Sequence, residues 1–180
     1  MTNTGILFIV ATPIGNLDDV SQRAAEVLAN VNVIAAEDTR HTRKLLNQLK
    51  IDTPLTAYHD YSDAKKADKL LLRVQQGQSV ALVSDAGTPL ISDPGYRLVR
   101  LARKSGITVR PIPGASAVIA ALSVAGLATD KFIFEGFLPA KASARNKRLK
   151  ELVFESRTLV FYESPHRVVK TMAALNEILG

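Results

Sequence analysis

The chain has 180 residues, 47% of them hydrophobic, and 23 basic against 17 acidic side chains give a formal charge of +6; this composition builds a buried core, excludes a disordered chain and favours an anionic partner, nucleic acid ahead of others. The absence of cysteine excludes disulfides, thiolate catalysis and cysteine-ligated zinc, and His41, His59 and His166 are too dispersed for a metal cluster, so no metal is expected. No apolar run reaches the roughly 18 residues that span a bilayer, and Ile6–Ala11 lacks the basic flank and length of a signal sequence, so a cytoplasmic protein with no membrane partner is expected.

Ile6-Leu-Phe-Ile-Val-Ala11, between Gly5 and Pro13, reads as a strand covered on both faces. It opens into Thr12-Pro-Ile-Gly-Asn-Leu-Asp18, where Asp18 or Asp19 is expected to cap a helix whose apolar residues Val20, Ala24, Val27 and Leu28 recur at helical spacing. A strand, a Gly-bearing turn and a helix in succession suit an anionic or nucleotide-like ligand, and equally a plain tight turn. Val33–Ala36 is a second strand running into Glu37-Asp-Thr-Arg-His-Thr-Arg-Lys44. There Asp38 or Thr39 caps a helix packed through Leu45, Leu46 and Leu49, with Arg43 and Lys44 toward solvent. Acids, an imidazole and guanidiniums at a strand end are also the composition of a substrate-positioning loop. Leu55–Tyr58 is short enough for an edge strand, followed by the loop His59–Asp63 and a helix from Ala64 to Gln76 with Leu70, Leu71 and Val74 inward.

Val80-Ala-Leu-Val83 reads as a buried strand that stops abruptly in Ser84-Asp-Ala-Gly-Thr-Pro-Leu-Ile-Ser-Asp-Pro-Gly95, a loop with far more polar, Gly and Pro residues than a plain connection needs. In an open α/β sheet ligands settle outside the carboxyl ends of strands, so chemistry is expected here first. The end of this loop, Ser92–Gly95, reads as the cap of a helix over Tyr96–Ser105, along which Arg97, Arg100 and Lys104 form a basic stripe. Val109–Ile112 makes the next strand. A helix from Ser116 to Ala125 is apolar on nearly every face, which predicts burial or packing against a second layer, and its start carries Gly114 and Ser116. Gly126–Asp130 reads as a linker between an N-terminal α/β domain, 1–125, and the beginning of a second α/β domain, 131–180. The second contains strands at Phe132–Glu135 and Thr158–Tyr162, a basic helix with Lys141, Arg145, Lys147, Arg148 and Lys150, and a last helix ending at Leu179. Two strands and two helices are few for an independent domain, so the second is expected to be incomplete. The fold class predicted is α/β: a mostly parallel sheet flanked by helices, then the first part of a second α/β domain. Walker-type phosphate loops and the Gly-x-Ser-x-Gly elbow are both missing.

Thr12-Pro-Ile-Gly-Asn-Leu17, Ala36-Glu-Asp-Thr-Arg40, Val83–Gly95, Pro113-Gly114 with Ser116, and Phe161-Tyr-Glu-Ser-Pro-His-Arg167 together resemble the tetrapyrrole-methylase-like family. Within it they are similar to the branch that methylates the 2′-hydroxyl of a cytidine in the decoding region of 16S ribosomal RNA. One departure is Ala115, where the family usually has proline; another is length, since family members continue into the rest of a second domain. The resemblance implies S-adenosylmethionine as methyl donor in a cleft between two domains, the small ribosomal subunit as partner, a homodimer, and a 180-residue chain inactive alone. Carried over motif by motif, it implies donor binding by Pro13, Gly15, Asp85, Ala86, Gly87 and Ser116, with Phe137 and Leu138 as walls. A base near the ribose hydroxyl is expected among Glu37, Asp38, His59 and Glu163, which the sequence leaves unranked. Arg40 and Arg167 suit phosphate contact, and Arg43, Arg97, Arg100, Lys104, Arg145, Lys147 and Arg148 complete the expected RNA-binding set. Two alternatives stay open: a methyltransferase acting on a tetrapyrrole or other small acceptor, and a non-enzymatic ribosome-binding module.

Overall fold

The structure, a computed structural model, describes residues 5–59 and 64–180, so the part of the expected His59–Asp63 loop from residue 60 on lies outside it. The chain separates into two units, residues 1–117 and 118–180.

The first unit contains β1 (Ile6–Val10), α1 (Gln22–Asn30), β2 (Val33–Ala36), α2 (Thr39–Gln48), β3 (Leu55–Ala57), α3 (Ala64–Gln75), β4 (Val80–Val83), α4 (Tyr96–Lys104) and β5 (Thr108–Ile112). The strands form one sheet in the order β3-β2-β4-β1-β5, and every adjacent pair is parallel. β4 lies in the middle with all four residues buried. Its period-two alternation divides the core: Val80 and Leu82 join Leu7, Val33 and Ala35 beneath α3 and α4, while Ala81 and Val83 join Val10, Ile34 and Ala36 beneath α1 and α2. Each large apolar side chain so buried contributes about 1.5–3 kcal/mol. The edges are β3, only three residues long, and β5, which carries Pro111 beside Ile9.

One expected cap is corrected. Asp18 and Asp19 belong to a short 3-10 turn, Leu17–Asp19, that Asn16 caps; Ser21 caps α1, its Oγ accepting the Ala24 N–H at 3.1 Å. At α4 the cap position falls on Gly95, within the expected Ser92–Gly95, without a side-chain cap hydrogen bond. Asp38 caps α2 as expected, accepting the Arg40 N–H at 2.8 Å.

In the second unit α5 (Ala117–Val124), which begins at the unit boundary, leads to β6 (Phe132–Phe137), α6 (Ala142–Glu151), β7 (Thr158–Tyr162) and α7 (Val168–Leu179). β6 and β7 pair in parallel, with a bulge that leaves Glu135 out of register between Phe134 and Gly136. Leu138, Leu149 and Ala174 form the core there. α5 is covered along one stripe: Val118 and Leu122 are buried, while Ile119 and Val124 are exposed. An apolar helix is buried only where another element packs on it, and a single i, i+4 stripe is packed here.

Gly95 has φ +130°, and a Cβ there would lie 2.6 Å from Leu82 and 2.9 Å from Leu90. Gly95→Ala is therefore expected to lower stability in urea unfolding by about 2–4 kcal/mol, from backbone strain and collision with the core. Gly106→Ala, at φ +69° in open space, should cost about 1 kcal/mol; equal losses at the two positions would refute the packing argument.

Candidate active site

At the carboxyl end of the sheet the loops after β1, β4 and β5 are stitched together. Thr12 and Gly87 form an antiparallel bridge, exchanging N–H···O bonds of 2.9 and 3.0 Å, and Thr12 Oγ1 donates to the Ser84 carbonyl at 3.2 Å. Gly87 sits at φ +82° with Ile14 and the Ala115 carbonyl close to where a Cβ would be. Thr88 Oγ1 reaches that same Ala115 carbonyl at 3.4 Å. The expected donor residues Pro13, Gly15, Asp85, Ala86, Gly87 and Ser116 are thus gathered on one end of one sheet. Pro13 and Gly87 are buried, Asp85 and Ser116 half-buried, and Gly15 and Ala86 exposed. The amide and carbonyl of Gly87 are both engaged by Thr12, whereas Ala86 and Gly15 are exposed residues of the same loops.

A second junction joins the loops after β2 and β4. From β2 the chain leaves through α2 toward β3, and from β4 through α4 toward β5, on opposite faces and in opposite directions, which opens a crevice between their ends. The Asp38 N–H donates to Asp85 Oδ1 across it at 3.0 Å. Beside this bond lies a pocket of about 710 Å³ whose lining includes Glu37, His59, Ser92, Asp93, Tyr96 and Arg97. Burial, then the charges of Asp85 and Asp93, hold the Glu37 carboxyl above the usual carboxylate range, partly offset by His59. Burial likewise raises Asp93, opposed by a hydrogen bond from Ser84 and reinforced by the charge of Asp85. Asp38 is displaced the other way: the Arg40 guanidinium clasps it through Nε at 3.1 Å and Nη2 at 2.8 Å and holds it well below the usual range. Next to Asp85 a void of about 20 Å³ is lined by Thr12, His41, Thr42 and Ser84, and the buried Thr42 Oγ1 has no hydrogen-bond partner among the described residues.

The second unit holds the remaining candidates. Glu163 accepts from Thr171 Oγ1 at 2.7 Å and from the Ser164 N–H at 2.8 Å, and pairs with Arg167 at 3.0 Å. Burial would raise its carboxyl, but these partners outweigh that and lower it. Leu138 turns into the core and its carbonyl accepts from Arg167 at 2.7 Å, whereas Phe137 is exposed, its ring 5.5 Å from that of Tyr162.

The expected RNA-binding side chains fall into two groups. Arg43, Arg97, Arg100, Lys104 and Lys147 are exposed. Arg40 is exposed as well but paired with Asp38, Arg148 is clasped by Glu135 and Glu151, Arg167 by Glu163, and Arg145 is buried. Asp93 and Tyr96, which the sequence places only at a helix start, line the pocket beside Glu37 as well. A Ser-Asp-Pro-Gly stretch whose acid is not needed as a cap was the available signal.

Comparison with known proteins matches residues 7–180 to the family described as Tetrapyrrole (Corrin/Porphyrin) Methylases. The chain belongs to this family. Curated relatives include Ribosomal RNA small subunit methyltransferase I of Pseudomonas aeruginosa, 54% identical over 99% of the chain and 63% of the relative. The protein of the same name from Escherichia coli O157:H7 is 56% identical over 98% of the chain and 62% of its own length. The chain thus spans less than two thirds of the length of these relatives. Among solved structures, cobalt precorrin-4 methyltransferase superposes with a TM-score of 0.69 at 18% identity, covering 96% of this chain and 74% of that one. Diphthine synthase gives 0.70 at 16% identity, covering 96% and 72%. At such identities these two establish the tetrapyrrole methylase fold alone. Among the described residues, no helix of this family member is long and apolar enough to cross a membrane.

The raised carboxyl of Glu37 carries a stability consequence. Because its folded value lies above the unfolded one, its ionisation destabilises the native state at neutral pH and does nothing once both states are protonated. Glu37→Gln is expected to raise the melting temperature at pH 7 and to leave it unchanged near pH 3; the reverse trend would contradict the assignment. Glu163 has the opposite sign, its lowered value stabilising the fold above the ordinary carboxylate range. Glu163→Gln should cost about 1–3 kcal/mol at pH 7, with the loss shrinking as pH falls through the lowered value of the wild type.

Proposed function

We propose that this family member is part of an S-adenosylmethionine-dependent methyltransferase that modifies the ribose 2′-hydroxyl of a cytidine in small-subunit ribosomal RNA. The observation that carries this reading is identity of 54–56% to several small-subunit ribosomal RNA methyltransferases over nearly the whole chain. In support, the exposed cations Arg43, Arg97, Arg100 and Lys104 suit a polyanion.

The donor fits the chemistry of the loops after β1, β4 and β5. Its ammonium and sulfonium centres are cations, and Asp85 offers a carboxylate beside the exposed Ala86, while Thr42 Oγ1 next to it has an unused hydrogen-bonding capacity. We assign donor binding to Pro13, Gly15, Asp85, Ala86, Gly87 and Ser116. When bound, S-adenosylmethionine supplies an electrophilic methyl carbon. The chain's own part is to hold the acceptor oxygen in line with that carbon, keep water out and take up a proton. A cytoplasmic location at the ribosome, and a homodimer using the exposed Ile119 and Val124 of α5, belong to the same reading.

A small acceptor is the second reading, favoured by the fold shared with cobalt precorrin-4 methyltransferase. The deciding experiment supplies the full-length protein with methyl-labelled donor and small ribosomal subunits from cells lacking this activity. Label in the ribose of one cytidine is the expected result, and Asp85→Ala should weaken donor binding by calorimetry about tenfold or more. Label in small molecules alone supports the second reading, and none at all with the full-length protein supports a non-enzymatic ribosome-binding role.

A further inference from the structure

The pocket between the ends of β2 and β4 has the volume of a ligand site and a lining unlike that of the donor loops. Three of its side chains complement the parts of one nucleotide. Tyr96 is 65% exposed at the first turn of α4 and presents an aromatic platform of the kind on which unpaired bases stack. Arg97, next in sequence, carries a planar fork that matches phosphate oxygens. Glu37 is half-buried, and among the described residues nothing hydrogen-bonds or ion-pairs with its carboxylate. A carboxylate accepts and does not donate, so it selects for a hydroxyl and distinguishes ribose from deoxyribose.

Asp38, Asp85 and Glu163 are already employed. Asp38 is clasped by Arg40, Asp85 receives the Asp38 N–H, and Glu163 is held by Thr171, Ser164 and Arg167. Of the carboxylates expected as base, Glu37 alone faces this pocket with its oxygens uncommitted among the described residues.

We propose that this pocket receives the acceptor nucleotide, with its base stacked on Tyr96, its phosphate against Arg97 and its 2′-hydroxyl on Glu37, which takes the hydroxyl proton during transfer. The proposal rests on the ribose-methylating reading above. The balance is simple: the hydroxyl proton passes to Glu37 and on to solvent, and the oxygen's freed pair forms the new O–C bond. The pair of the broken C–S bond stays on sulfur, which leaves as a neutral thioether. A carboxyl lifted by its buried, acidic surroundings is a better proton acceptor at neutral pH than the clasped Asp38.

The test is a binding cycle on the chain itself, read by fluorescence anisotropy with a short single-stranded cytidine oligonucleotide in two forms, all-ribose and with one central 2′-deoxycytidine. Wild type should prefer the all-ribose form about fivefold, and Glu37→Ala should erase that preference while remaining folded by circular dichroism. Tyr96→Ala should weaken both forms about tenfold. A ribose preference that survives Glu37→Ala, or none in wild type, overturns the proposal. In the transfer assay, Glu37→Gln should slow ribose methylation by about 10²-fold or more. An unchanged rate with label still in ribose overturns the pocket assignment alone, whereas label found only in small molecules overturns the ribose-methylating reading beneath it.

Discussion

A single hydrogen bond, from the Asp38 N–H to Asp85 Oδ1, sets the spacing on which the rest of this end of the molecule depends. β2 and β4 are neighbours in the sheet, but their loops depart to opposite faces and would diverge without a tie. Asp85 supplies that tie from the loop after β4, and Asp38 answers it while its own side chain caps α2 and holds Arg40. One residue thus fixes a helix start, an ion pair and an inter-loop contact. The neighbouring Glu37 lines the pocket, its ionisation opposed by burial and by the acids around it and partly favoured by His59.

The charge distribution has two scales. Over the whole chain basic residues exceed acidic ones, and the exposed cations of α2 and α4 extend an attractive field toward a polyanion, felt over about a Debye length of 10 Å at moderate salt. Within the crevice the balance inverts, with Glu37, Asp38, Asp85 and Asp93 near one another. Acids placed there draw hydrogen-bond donors and cationic centres, while the outer helices draw phosphate. A chain of one net sign therefore carries both kinds of recognition a few residues apart.

Much of the first unit was legible because parallel strands covered on both faces must be continuously apolar, and Ile6–Val10, Val33–Ala36 and Val80–Val83 are. The clustering of Pro13, Gly15, Asp85 to Gly87 and Ser116 at one end follows from the same rule, since all lie just past a strand. What sequence could not show was partnership. Arg148 and Arg167 read as free cations, yet Glu135, Glu163 and the Leu138 carbonyl, 13, 4 and 29 residues away, engage them. Asp93 read as part of a helix-start stretch, and only the folded path of the loop brings it to the same pocket as Glu37. The exposure of Ile119 and Val124 was hidden for a similar reason, as composition reports what a helix could bury and not what packs against it.

β5 ends the sheet with Thr108-Val-Arg-Pro-Ile112, in which proline sits on an outer strand beside Ile9. Proline has no N–H to offer a further strand, and the neighbouring Arg110 places a charge along the same margin. The opposite margin, β3, offers three residues. A sheet with a blunted border on one side and a stub on the other is a poor template for edge-to-edge pairing. The polar, crowded strand ends can thus stay open to solvent without the sheet itself seeding aggregation.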